Sequence, residues 1–471
     1  MRRLVLITAT LAALAVAQVA LPCHIPTYLR QGETNLTSED VAHLAHGAPP
    51  VHIAYALAAT APCSKGMADI FPCRNVTLLE FLPLDSIGGG TGSDIWGWTD
   101  ALTGKEYALI GRSNGTAFVD ITDPQNPVYV GNLPTQTTSS SWRDIKVYAD
   151  HAFIVADFAG AHGLQVFDLH RLRGLSGPAT TFSPDAHYAG FNRAHNVVIN
   201  EDTGFAYAVG SDTCAGGLHM IDIHNPLQPT FAGCFSSDGY THDAQCVVYH
   251  GPDVEHAGKE ICFNANEDTL TIVDVTNKSN PVQLSRTSYQ GASYTHQGWL
   301  TEDQARFVHD DEGDEFTFGH NTRTYVWDLA DLDHPVVATT FTAEGKSVDH
   351  NQYVRNGYIY QANYRRGLRI LKLGKGVGDG LQEVAYFDSY PEMDGNGYQG
   401  AWSVYPFFAS GTIVLSDINR GLFILRAQLP GSIFADGFER GDTTAWTAIQ
   451  RISTAPTAAE PPATPAPPDS P

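Results

Sequence analysis

The chain has 471 residues, with 51 Asp and Glu against 28 Lys and Arg, a formal net charge of −23 and 17% charged residues. That length allows a large buried core, and so negative a chain excludes nucleic acid and anionic membrane surfaces as direct partners. With 44 glycines and 10% aromatic residues, the composition fits a large exported β domain.

In chain order, Arg2-Arg3 precedes an apolar run from Leu4 to Ala17 that ends in Ala15-Val16-Ala17. Basic start, short apolar run and small-residue cleavage site predict a signal peptide over residues 1–17 and export by the general secretory route. The run is shorter than a bilayer span requires, and no later stretch is long and apolar enough to cross a membrane. Residues 18–74 are weakly patterned and read as an N-terminal extension. Its His43, His46 and His52 are irregularly spaced and read as solvated side chains.

From Val76 the pattern changes. Val76 to Pro83 alternates like an outer β-strand, yet no inner strands precede it. A unit of about fifty residues then recurs seven times, and its first strand begins at Asp94, Asp144, His195, His242, His296, His350 and Trp402. In the copy from Tyr240 to Asp274, Thr241-His242-Asp243 opens one apolar run, Ile261-Cys262-Phe263 a second, and Leu270-Thr271-Ile272-Val273-Asp274 makes a third; Pro281 to Ser285 follows as a fourth strand. Four strands at this period predict a β-propeller blade, and the fold is read as an all-β, seven-bladed propeller over residues 75–427. The seventh unit stops at its third strand, Phe423 to Leu425. Val76 to Pro83 is expected to complete that blade and close the ring, which removes a free edge.

The resemblance is to the LVIVD-repeat propellers, and among them to the choice-of-anchor B family of secreted or surface-attached proteins. It is carried by Gly92-Ser93-Asp94-Ile95-Trp96-Gly97-Trp98, Ser141-Trp142-Arg143-Asp144-Ile145, Tyr240-Thr241-His242-Asp243-Ala244-Gln245, Tyr294-Thr295-His296-Gln297-Gly298-Trp299 and Asp349-His350-Asn351-Gln352-Tyr353. What it implies is a propeller, export and a variable C-terminal device; it implies no particular reaction.

Export favours disulfides over free thiols. Cys63 with Cys73 would staple the segment before the propeller, while on the blades Cys246 pairs with Cys262 on adjacent strands and Cys214 with Cys234 on a loop and an outer strand, which leaves Cys23 over. Six cysteines allow about fifteen pairings, so this choice rests on blade position and not on spacing.

Equivalent points of each blade lie at one height around the channel. The register therefore predicts a ring of Asp94, Asp144, His195, His242, His296 and His350 as candidate ligands of a divalent metal, with zinc, iron, copper or manganese preferred and calcium less so. Loops between second and third strands should reach the same face, which nominates Asp157, Asp212, Glu267, Asp310, Asp311 and Asp417 for ligand contact. A recurring His/Asp ring has a competing explanation, because each repeat solves the same packing problem and such residues can simply tie blade to blade. The run Asp310-Asp311-Glu312-Gly313-Asp314-Glu315 is a lower-ranked candidate for calcium, but it lacks EF-hand spacing, and acidic loop runs are usually solvated. Trp96, Trp98, Trp142, Trp299 and Trp402 read first as packing aromatics.

After Leu425 a segment over 428–453, including Ser432 to Trp446, resembles an acidic-aromatic sorting or attachment motif, and residues 454–471 form a Pro/Ala-rich tail expected to be disordered. The leading reading is an exported, monomeric binding or adhesion module for an extracellular protein or carbohydrate. Its alternative is a metal-dependent hydrolase or lyase using the same channel mouth, although no Gly-x-Ser-x-Gly nucleophile motif occurs.

Overall fold

A strand with sheet neighbours on both faces must be apolar on both sides, whereas an edge strand can alternate. Leu164–Asp168, Leu218–Asp222 and Leu270–Asp274 bury their first four residues without interruption. Val336–Thr342, at an outer edge, alternates exposed and half-buried positions. The computed structural model describes residues 60–429 and arranges these strands as seven sheets, antiparallel but for one two-residue parallel pairing. The expected seven-bladed propeller is the fold.

The inner strands are Gly92–Thr99, Arg143–Tyr148, Asn196–Asn200, Asp243–Val248, Thr295–Leu300, Gln352–Arg355 and Ala401–Tyr405, in blades 1 to 7. Neighbouring blades share apolar layers: Ile95, Ala108 and Ile110 of blade 1 pack with Val414, Leu422 and Ile424 of blade 7. Tyr249, Phe263 and Ile272 of blade 4 meet Leu300, Phe307 and Trp327 of blade 5 in the same way. Each Val, Leu, Ile or Phe among them, fully buried, contributes about 1.5–3 kcal/mol.

The aspartate that ends the third strand has a local cause. Asp120, Asp222, Asp274 and Asp328 each accept, on Oδ1, the backbone N–H two residues on, at 3.0 Å. This Asx turn stops the strand and starts the bend toward the fourth. A bulge between the third and fourth strands recurs in the blades, for example at Ile272/Val273 and Val326/Trp327, and increases their twist.

Val76–Pro83 pairs antiparallel with Gly421–Ala427, from Val76 opposite Ala427 to Pro83 opposite Gly421, so the two ends of the ring complete blade 7 together. The residues just before it also join the propeller. Met67–Ala68 and Phe71–Arg74 form a hairpin that adds to the edge of blade 6, with Cys73 opposite Phe387 and Arg74 opposite Tyr386. The weakly patterned extension is therefore part of the ring from about residue 61, where Ala61 bridges Leu78. Strands of two and four residues are too short to show a period. Blade 2 differs as well, since its fourth strand, Ala186–Tyr188, follows a detour in which Thr180–Thr181 pairs in parallel with blade 1.

Cys63 is bonded to Cys73, Cys214 to Cys234 and Cys246 to Cys262. The last pair are direct cross-strand neighbours of blade 4, with Cα atoms 4.0 Å apart. Among the described residues no helix is long and apolar enough to cross a membrane. The signal peptide, Cys23, the sorting motif and the tail lie outside the described residues.

Candidate metal centre at the channel mouth

His195, His242, His296 and His350 enter from consecutive blades and form a buried arc, with ring centroids 4.5, 4.2 and 4.5 Å apart along it. Local strand irregularity helps to aim them. In blade 5 Thr295 lies opposite Asp311 and Gln297 opposite Asp310, so His296 is the extra residue of a bulge. A bulge redirects a side chain that regular pleating would place elsewhere.

Each Nδ1 meets an acceptor. His242 Nδ1 donates to the carbonyl of His296 at 2.8 Å, and His350 Nδ1 donates to the carbonyl of Trp402. His195 Nδ1 is 3.1 Å from Asp157, which Arg193 also holds at 2.8 Å, and His296 Nδ1 is 2.9 Å from Asp310. A carbonyl can only accept, so His242 and His350 each carry a proton on Nδ1, which in a neutral ring leaves the lone pair on Nε2. Second partners of this type fix ring orientation in metal-binding histidines. Burial pushes His350 down to about 3, so its ring is neutral at ordinary pH.

Glu312 completes the arrangement. Its Oε2 lies 4.0 Å from His296 Nε2 and its Oε1 lies 3.9 Å from His350 Nε2, while the Tyr364 hydroxyl donates to Oε1 at 2.6 Å. The three ligand atoms of His296, Glu312 and His350 lie within 4.8 Å of one another. An ion about 2.1 Å from each requires them to be no more than about 4.2 Å apart, so the three side chains would have to close slightly to hold one. Burial pushes the Glu312 carboxyl up to about 8, with Tyr364 opposing and Asp311 adding to the rise. The adjoining cavity, about 10 Å³, is bounded by the four histidines, Trp142 and Trp402. That is room for roughly one water or ion and for no organic molecule.

The six-membered ring expected from the register divides in two. Asp94 and Asp144 sit around Lys146, whose Nζ is 2.6 Å from Asp144 and 3.5 Å from Asp94. Their other contacts tie blades together: Asp94 Oδ2 faces the Ile145 N–H at 3.4 Å, and Asp144 Oδ2 accepts from Val197 N–H at 2.7 Å. In blade 2 it is Trp142 and Arg143 that reach the histidine cavity. Strand side chains alternate with a period of two, so a difference of one residue between repeats changes what a side chain meets. Lys146 and Asp243 instead line a separate cavity of about 220 Å³ with Trp96, Trp299 and Tyr353.

The nominated loop acids have different surroundings. Asp157 and Asp310 orient histidines, as above. Asp311 accepts the N–H groups of Ser293, Tyr294 and Gly313, and Asp417 those of Asn419 and Arg420, so both hold turns. Asp212 is exposed and caps Asn192, while Glu267 is buried in a two-way backbone pairing with Thr295. The acidic run of blade 5 is not solvated: Asp310, Asp311, Glu312, Asp314 and Glu315 are all fully buried. Blade 6 covers them, through residues such as Asp349 and Tyr364, which spacing within blade 5 could not reveal. Glu312 belongs to that run, and its only sequence signal as a ligand is its place just after a second strand.

The fold and this site together define the class of protein, a seven-bladed β-propeller with an imidazole- and carboxylate-lined channel mouth. The chain carries LVIVD repeats, matched by that family at residues 101–135 and 262–287. Comparison with curated proteins gives no match. Among solved structures it is similar to the β-propeller domain of Myceliophteria thermophila Cps50 (Swd1), at 9% identity and a TM-score of 0.47, covering 74% of this chain and 99% of that one. It is also similar to a protein from Lactobacillus plantarum, at 10% identity and a TM-score of 0.46 over 68% and 87% of the two chains. A functionally unknown protein from Desulfotomaculum acetoxidans DSM 771 matches at 12% identity and a TM-score of 0.44, over 66% and 98%. Likenesses this remote carry no argument about function.

Proposed function

We propose that this is an exported binding or adhesion propeller whose channel mouth is organised by a divalent transition metal on His296, Glu312 and His350. The convergence of those three ligand atoms within 4.8 Å carries the reading. Nitrogen and carboxylate donors together suit zinc, iron, copper or manganese better than calcium. Asp310 and the Trp402 carbonyl orient the two imidazoles, and Tyr364 orients the carboxylate. The three disulfides support an oxidising compartment.

The small cavity supports binding over turnover. An enzyme of the hydrolase or lyase class needs substrate atoms beside the metal, and about 10 Å³ does not admit them. The metal then serves to clamp blades 5 and 6, and an extracellular protein or carbohydrate meets the surrounding loops. The test is elemental analysis of protein purified without chelating resin, beside a His296→Ala/His350→Ala variant that still shows the parent's far-UV spectrum. One transition metal per parent chain, absent from the variant, is the expected result. A metal-free parent that stays empty after reconstitution would overturn the reading, and metal-dependent hydrolysis in a substrate screen would replace binding with turnover.

A further inference from the structure

The channel has a second cavity, further along the same inner strands, that none of the four histidines lines. It holds about 220 Å³, against about 10 Å³ at the histidines. His195, His242 and His296 stand at or before the start of their strands, whereas Asn200, Gln245 and Trp299 reach this cavity from further on. Exposed Glu201 and Asp202 form part of its rim, so it opens to solvent. Cavities for drug-sized ligands run to about 300–1,000 Å³, so this one suits a smaller molecule.

Its sides differ in chemistry. Blades 1, 5 and 6 supply Trp96, Trp299 and Tyr353. Tyr353 meets both tryptophans edge to face, at 5.7 Å and 73° with Trp96 and at 5.0 Å and 71° with Trp299. Lys146 Nζ already covers Trp96, 4.6 Å from its ring centroid, which leaves half-buried Trp299 as the open ring. The polar groups come mainly from blades 4 and 5, and the protein uses only half of each. Gln245 Oε1 accepts the Leu300 N–H at 2.7 Å and Gln297 Oε1 the Gln352 N–H at 3.0 Å, so each amide keeps its NH₂ group as a donor. Asp243 Oδ1 accepts the Ala244 N–H at 2.7 Å and keeps Oδ2 as an acceptor. The cavity thus offers two donors, a carboxylate acceptor and an aromatic face.

We propose that this cavity binds a single neutral pyranose sugar ring, with its C–H face against Trp299 and its hydroxyls on Asp243, Gln245 and Gln297. A hydroxyl both donates and accepts, so one sugar edge can meet a carboxylate and amide NH₂ groups side by side. The hydroxyl-to-carboxylate bond is charge-assisted and is the strongest of these contacts. An anionic ligand does not fit: Lys146 is held by Asp144 at 2.6 Å and Asp94 at 3.5 Å, and Glu201 and Asp202 add negative charge at the rim. An organic cation needs open ring faces around it, whereas these rings turn edge to face on one another and Trp96 is already capped by Lys146. The site is separate from the histidine mouth and does not rest on a metal there.

The competing account is a water-filled channel end walled by packing aromatics. The two are separated by saturation-transfer NMR and isothermal titration of the parent with glucose, galactose, mannose and N-acetylglucosamine, with glucuronate and choline as charged probes. All titrations are run in chelator, so a protein without metal, which would overturn the proposed function, leaves this result unchanged. The proposal expects at least one neutral sugar to bind saturably at one site per chain, with a Kd of about 1 mM or tighter. Neither charged probe should compete with it. Trp299→Ala and Asp243→Asn should each weaken that binding about tenfold, through loss of the aromatic face and of the charge-assisted bond. The asparagine keeps Oδ1 for the Ala244 N–H, so its backbone contact survives. Sugar affinity unchanged in both variants would place the sugar elsewhere and overturn the site. A parent that binds none of the four sugars would overturn it whether or not the variants fold, in favour of water. Choline or glucuronate bound more tightly than every sugar would overturn the ligand class.

Discussion

Two buried acidic groups in one channel have opposite solutions to the same electrostatic problem. Around Asp94 and Asp144 the chain supplies its own cation, Lys146, at 3.5 and 2.6 Å, and stacks it 4.6 Å over the Trp96 ring. Around Asp349, Asp314 and Glu315 no lysine or arginine forms an ion pair among the described residues, and Arg323 acts on Asp314 only from farther off. A built-in lysine makes a group that is complete on folding, whereas acids without one are complete only with a proton or an ion from outside. The first is therefore structural, and the second is where a proton or an ion is to be sought.

The largest expected effect breaks the first group. Lys146→Met removes the cation from two buried carboxylates and should cost about 3–5 kcal/mol in urea unfolding, as for a buried pair that loses one partner. If the cost is below about 1 kcal/mol, as for an exposed pair, the contrast between the two groups fails. Next is the triad: Glu312→Gln should lower zinc affinity at least about 100-fold, a larger loss than removal of an orienting partner causes, with little change in chelator. Asp310→Asn, which only orients His296, should cost about 10–100-fold in the same titration. An Asp310→Asn loss as large as that of Glu312→Gln would make Asp310 a ligand.

A smaller and gentler test uses an acid of intermediate kind. Asp417 has backbone donors and Arg420 nearby, yet burial still pushes it up to about 6. Its folded form holds a proton that the unfolded chain releases near pH 4, so its contribution to stability is greatest below that pH. It falls as pH rises from about 4 to about 6 and is constant above, a loss of at most about 3 kcal/mol. Asp417→Asn should flatten that part of the stability profile while keeping the Oδ1 acceptor for both turn N–H groups. A profile with the parent's slope would place the titration elsewhere.

What the sequence by itself determined is the architecture. Seven recurrences of a strand-forming unit, the Asp that closes the third strand in five of them, and Val76 to Pro83 with no partner before it are all local signals, and repetition reinforces each one. The disulfide pairs were legible for the same reason, since the repeat puts Cys246 and Cys262 on adjacent strands. The four histidines were legible as an arc because they recur at one point of the unit. Only the tertiary structure decided the rest. Asp94 and Asp144 share that alignment point yet belong to Lys146, because pleating turns a one-residue difference into different surroundings. Glu312 and Asp349 lie in different blades and acquire their roles only when those blades pack, since burial and the absence of a neighbouring cation are properties of the assembled ring and leave no periodic trace in the chain.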